Sequence, residues 1–154
     1  MRIREMEEKD RQAVLELMIP FYASEAVQVK APEEVLRRDI EDCLGDCPYI
    51  EGFVIEEGEK IAGYCMTAKS YSTEYGGVCV WIEDLCLAPE YRGRGYGSKM
   101  LQYVEDRFRD KAVRLRLEVE PENRQAVAAY RKFGFHDLPY GQMTKEYPKL
   151  KEPR

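Results

Sequence analysis

The sequence predicts a mixed α/β fold: a mostly antiparallel central sheet of six to seven strands with helices on both faces, in the order β-α-α-β-β-β-α-β-α-β-β. Three observations carry this expectation. Apolar residues recur at helical spacing in some segments and at a spacing of two in others. Glycine or proline stands at most of the changes of period. The chain has 154 residues, 44% of them hydrophobic and 34% charged, which suits a single domain over 1–154 with a core of its own.

Residues 2–6 read as a short edge strand. In KDRQAVLELMIPFY, Val14, Leu17, Met18 and Phe21 share a helix face, and Pro20 is expected to stop the helix. A second helix begins after Ala31 with Pro32 in its first turn, turning Val35, Leu36, Ile40 and Cys43 inward. The period then changes to two. Residues 49–56 and 60–68 read as a hairpin joined by the turn EEGEK, and the polar loop SYSTEYGG leads into a long strand at 78–87 that ends before Pro89. Met100, Leu101, Val104 and Phe108 form the next helical stripe, and VRLRLEV at 113–119 alternates as a strand with one buried face. A helix over 123–132 opens on the capping residue Asn123 and stops at Gly134. Residues 135–136 and 142–147 are expected to close the sheet, and 148–154 to form a loose tail.

Charge and composition exclude several functions. A net charge of -5 argues against a general nucleic-acid binder. The first 90 residues carry 20 acidic and 9 basic side chains and the remainder 9 and 15, so the two parts suit partners of opposite sign. The apolar runs are too short for a membrane span, and the charged opening MRIREMEEKD does not read as a signal peptide. Five cysteines, an odd number, lie in or beside apolar segments, which points to free thiols in a reducing compartment such as the cytoplasm. Cys43 and Cys47 frame C-x-x-x-C, but with one histidine in the chain and no second cysteine pair, no metal site is expected.

The segment WIEDLCLAPEYRGRGYGSKM runs from strand through glycine turn to helix. The first N–H groups of a helix have no internal partner, and the helix dipole adds partial positive charge there. Glycines let an anion approach the backbone, and Arg92 and Arg94 add charge, so the turn is an anion site. Its spacing fits neither the Walker loop, which needs a lysine before Ser or Thr, nor the dinucleotide fingerprint, since Gly93, Gly95 and Gly97 read G-x-G-x-G.

R-x-x-G-x-G from Arg92 to Gly97, following a strand with an acidic pair, resembles the acetyl-CoA pyrophosphate loop of the GNAT-type N-acetyltransferase superfamily. Asn123, Ala126, Tyr130 and the FGF at 133–135 resemble that family's second signature, and EDLCLAPEYRGRGYGS is most similar to its polyamine (diamine) acetyltransferases. The resemblance implies acetyl-CoA as cosubstrate, a small-molecule amine as acceptor and a homodimer. It places the strand Leu85, Cys86 and Leu87 along the pantetheine arm, with Arg92, Gly93, Arg94, Gly95, Tyr96, Gly97 and Ser98 around the pyrophosphate. Asn123, Ala126 and Tyr130 then lie along the arm near the thioester.

Acetyl transfer to an amine needs a base to deprotonate the ammonium and an acid for the departing thiolate. Glu83 is the candidate base or water-positioning group, and Tyr130 the candidate acid. Asp84 is read as a structural or substrate-orienting group. Consecutive strand residues face opposite ways, so the two acids should not share a site; a β-bulge near this point would re-aim one of them, and the resemblance implies such a bulge. Trp81, Tyr71, Tyr75, Glu74 and Glu83 are expected to frame an acidic, aromatic pocket for an organic cation. The thioester is already activated, so the chemistry needs no metal. Cys86 has nothing electropositive beside it in the sequence, which argues against a covalent relay. Two other readings remain open at this stage: a different amine acceptor (aminoglycoside, amino acid or protein amine), and a non-catalytic acyl-CoA sensor.

Overall fold

The computed structural model describes residues 1–147; the expected loose tail at 148–154 lies outside them. Strand β1 (Arg2–Glu5) is followed by helices α1 (Arg11–Ala23) and α2 (Glu33–Leu44). Strands β2 (Ile50–Glu57), β3 (Lys60–Ser72) and β4 (Gly77–Leu87) come next, then helix α3 (Tyr96–Phe108), strand β5 (Arg114–Leu117) and helix α4 (Arg124–Phe133). The strands lie in chain order across the sheet, and every neighbouring pair is antiparallel except β4 and β5, which run parallel. A parallel pair needs a crossover, and α3 supplies it.

Alternation along the strands builds two cores. Val54, Tyr64 and Met66 point to one face and pack with Val14, Leu15 and Met18 of α1 and Leu36 and Ile40 of α2. Phe53, Ile55, Cys65, Val80 and Ile82 point to the other and meet Met100, Leu101, Val104 and Phe108 of α3. Helices therefore cover both faces, as the sequence predicts. No helix among the described residues is long and apolar enough to cross a membrane.

Two expectations are corrected. Pro20 does not stop α1, which continues to Ala23. A proline inside a helix removes one hydrogen bond and crowds the carbonyl four residues back. The residues beyond it offset that cost: Phe21 and Tyr22 pack against the core, their rings edge-to-face with each other at 5.4 Å, and the Tyr22 hydroxyl reaches Asp84. The second correction concerns strand number, which among the described residues is five rather than six to seven, because 135–136 and 142–147 are not strands. Phe135 is held instead by its ring, 6.0 Å from Tyr130 and 6.2 Å from Phe133. Met143 and Tyr147 are exposed, so the segment buries no apolar face to offset the entropy of ordering it.

One buried ion cluster ties the N-terminal strand to the turn before α1. Arg4 donates to both carboxylate oxygens of Asp10 at 2.6 and 2.9 Å and to Glu56 at 2.9 Å. Asp10, which is 2% exposed, also accepts from the Glu7 amide at 2.9 Å.

Candidate active site

The pairing of β3 with β4 shifts register between Met66, opposite Asp84, and Thr67, opposite Ile82. Glu83 is thus the extra residue of a β-bulge. A single extra residue exchanges the two faces of everything after it. Before the bulge Val80 and Ile82 face α3; beyond it Leu85 and Leu87 pack on that side, while Asp84 and Cys86 turn to the α1 side. The two acids are separated in this way. Glu83 is exposed and has no hydrogen-bond or ion-pair partner among the described residues. Asp84 is 4% exposed and accepts from Tyr22 at 3.0 and 3.2 Å and from Tyr64 at 3.0 Å.

The electrostatics follow from this placement. Although its side chain is open to solvent, the surrounding cleft desolvates the Glu83 carboxyl, and this, then the charges of Asp84 and Glu118, raise it above its ordinary value, which makes it a better proton acceptor than an ordinary carboxylate. Burial also raises Asp84, although the two phenols pull in the opposite direction. Asp39 on α2 is pushed up to about 6 by burial, then by Asp84 and Asp42, against a lowering by Arg38.

The ladder between β4 and β5 ends at Ile82 and Leu117. Past that pair, β4 has a strand neighbour on one side only, and the two strands border a cleft that reaches Asn123, Ala126, Val127 and Tyr130 of α4. The Gln28 amide of the loop between α1 and α2 donates across this cleft to Glu120 at 2.8 Å.

The glycine turn lies at the end of β4. Gly93 and Gly95 have φ of 72° and 77°, the left-handed region, and a Cβ at either would meet no atom within 4 Å. The backbone at both glycines is open to solvent. Gly95 caps α3, the first intrahelical bond runs from the Lys99 amide to the Gly95 carbonyl at 3.1 Å, and the first turn of α3 contains no acid. The amides of Tyr96, Gly97 and Ser98 are therefore left for an anion. Arg92 donates to the Leu87 carbonyl at 3.1 Å, and the Arg94 guanidinium stands 5.5 Å from the Tyr91 ring, itself stacked on Tyr96. These features fit a pyrophosphate.

Asn123 caps α4 by accepting from the Ala126 amide at 3.2 Å. Tyr130, half-buried one face further on, makes no hydrogen bond through its hydroxyl, and burial pushes it up to about 12, with Cys65 adding a little. At neutral pH it is a protonated donor. Burial pushes the Cys86 thiol up to about 11, against Arg92, and its side chain faces α1.

The expected acidic, aromatic pocket is only partly assembled. Trp81 and Glu83 line one cavity of about 220 Å³ together with Ile82 and Glu118. Glu74 is instead paired with Arg114 at 3.5 Å and accepts from Tyr140 at 2.7 Å, while the Tyr75 ring carries Arg114 at 4.7 Å. The separation is set by β4: from Gly77 to Glu83 an extended chain covers about 20 Å. The Trp81 ring is covered by Arg116 at 4.1 Å, and its indole N–H donates to Ser70 at 3.1 Å. Sequence reasoning missed Tyr22, Tyr64, Asp39 and Glu118. Only Glu118 leaves a local trace, as the acid in the otherwise basic alternation of VRLRLEV.

A mixed sheet split between two parallel strands, with an anion turn at the end of one and an unpartnered carboxylate where they part, offers a phosphate-bearing ligand an anion site, an open strand edge and a proton acceptor. The chain belongs to the Acetyltransferase (GNAT) family, which it matches over residues 11–135. It is an N-acetyltransferase and moves an acetyl group from acetyl-CoA to an amine. The thialysine N-epsilon-acetyltransferase of Bos taurus is 35% identical over 147 residues, covering 88% of this chain and 84% of that one. A structure described as a possible acetyltransferase from Clostridium difficile 630 superposes with a TM-score of 0.83 at 23% identity, over 96% of this chain and 98% of that one. AAC(6')-Iy in complex with a CoA-linked bisubstrate analogue superposes with a TM-score of 0.79 at 15% identity, over 96% and 98%. These two structures show the shared fold.

Proposed function

We propose that the chain acetylates a small cationic amine such as a polyamine, by direct attack within a ternary complex. The observation that carries this reading is Glu83, an unpartnered carboxylate set out of the β4 ladder by the bulge, at the point where β4 and β5 part. A carboxylate there attracts the ammonium and takes its proton, directly or through a water. The neutral nitrogen attacks the thioester carbonyl, the C–S bond breaks as Tyr130 gives a proton to the leaving sulfur, and the second proton shed by the nitrogen as it becomes an amide restores the phenol. Acetyl-CoA supplies the activated acyl group. Arg92, Gly93, Arg94, Gly95, Tyr96, Gly97 and Ser98 would hold its pyrophosphate. The open β4 edge at Leu85, Cys86 and Leu87 would hold the pantetheine arm by main-chain bonds, with Asn123, Ala126 and Tyr130 alongside. Asp84, held by two phenols, orients the bulge from behind, and Trp81 walls the acceptor cavity. The raised, inward-facing Cys86 thiol favours direct attack over a cysteine relay. The name of the bovine relative, which specifies an ε-amine, supports an acceptor of this type. Free cysteines support a reducing compartment such as the cytoplasm, and the open β5 edge supports a homodimer.

Acetyl-CoA at a hundredfold excess over its Kd is expected to stabilise the protein by about 2.7 kcal/mol in a thermal shift assay. No shift at saturation overturns the reading of the glycine turn. In the same plate, thiol release is expected with polyamines rather than with aminoglycosides or peptide amines; the reverse order overturns the acceptor. Tyr130→Phe is expected to lower kcat about 10²-fold while retaining stabilisation by acetyl-CoA. A variant that keeps its kcat assigns the ring to packing between α4 and the sheet.

A further inference from the structure

We infer that Glu118 is a specificity-determining residue of the acceptor site, and that with Glu83 it selects an acceptor carrying two cationic nitrogens; this rests on the amine-acetylating reading above. The ladder of β4 and β5 ends at Ile82 and Leu117, and the next residue on each strand is a glutamate. Both border the cavity of about 220 Å³ where the strands separate, with Trp81 and Ile82 as its other walls.

The treatment of these two acids differs from that of the glutamates on β2. Glu51 is bridged by Lys69 and Arg107, Glu56 by Arg4, and Glu57 accepts from Tyr96. Glu83 and Glu118 have no hydrogen bond or ion pair among the described residues. Arg116, two residues before Glu118, is stacked over Trp81 instead. Two carboxylates on one cavity repel each other unless a cation stands between them, and none of the described residues provides one. An acceptor with one amine satisfies Glu83 only while that amine is charged. The proton must leave before attack, so the ion pair at Glu83 is given up along the reaction. A second ammonium does not react, and its pairing with Glu118 persists through the transfer. Glu118 therefore contributes uniform binding, which appears in KM rather than in kcat.

The test compares α,ω-diamines of increasing chain length with n-alkylamines of matching length, in the parent enzyme, Glu118→Gln and Glu118→Asp. The parent is expected to prefer a diamine over its matched monoamine in kcat/KM. Glu118→Gln is expected to cut that preference about tenfold through a higher KM for the diamine, and Glu118→Asp to restore part of it. Glu118 is exposed on the surface of the cleft, so the fold does not depend on it. Calorimetry of diamine binding with CoA present reads the same preference without turnover. A preference that stays within twofold of the parent in Glu118→Gln, by kinetics or by calorimetry, overturns the inference. Absence of thiol release from every amine overturns the acetylation reading instead, and calorimetry still decides the role of Glu118.

Discussion

Glu83→Gln is expected to lower kcat about 10²-fold while leaving stabilisation by acetyl-CoA in place. The substitution keeps the shape of the side chain and the bulge, but an amide cannot take a proton from an ammonium. A pH profile makes the test sharper. Burial, Asp84 and Glu118 raise the Glu83 carboxyl above its ordinary value of 4.5, so with saturating acceptor the rate is present above that raised pKa and lost as pH falls through it. In Glu83→Gln this acidic limb is expected to vanish along with most of the rate. A variant that loses rate but retains the limb places the base elsewhere. Asp84 is then the group to replace, since burial raises its carboxyl too.

Asp10→Ala is expected to destabilise the fold by about 3–5 kcal/mol, the cost of leaving a buried charge without its partner. Arg4 is 7% exposed and would keep Glu56, the Glu5 carbonyl at 3.1 Å and a long contact with Glu7 at 3.9 Å, and the Glu7 amide would lose its acceptor. Measured by chemical denaturation, this is a large part of the roughly 5–15 kcal/mol that holds a domain together. Burial by itself would raise the Asp10 pKa, but the bonds from Arg4 and the Glu7 amide outweigh it and hold the group below its ordinary value of 3.8. A lowered carboxylate stabilises the fold above its unfolded pKa, and that contribution is lost as pH falls through the folded one. The parent is thus expected to lose stability on acidification more steeply than Asp10→Ala. Equal acid slopes in the two proteins would place the linkage in other carboxylates.

Features that depend on neighbouring residues were legible in the sequence. The order of elements through α4 follows from period and punctuation, and the anion turn from R-x-x-G-x-G before an amphipathic stripe. The bulge at Glu83 was expected from the family resemblance and not from local spacing, which says only that two adjacent acids face opposite sides of a regular strand. Partners distant in the chain were not legible. Tyr22 lies 62 residues from Asp84 and Tyr64 lies 20 away, and neither stands in a motif. Continuation of α1 through Pro20 escapes local propensity, which sees the proline but not the contact Tyr22 makes beyond it. The two closing strands were expected from short apolar patches at 135–136 and 142–147, where ring contacts and exposure prevail over pairing.

The exchange of faces in β4 has a consequence for how this chain can change in length. The strand behaves like a reading frame with one programmed shift, at Glu83. A second single-residue insertion between Asp84 and Leu87 would restore the original frame, sending Cys86 toward α3 and Leu87 toward α1, with cores on both sides mismatched at once. Insertions and deletions within β4 are therefore tolerated only in compensated pairs or in steps of two. The turns on either side of the strand, at 73–76 and 88–95, carry no such parity. At 73–76 length can drift without touching the order of faces, whereas at 88–95 it is held by the glycine turn itself rather than by parity.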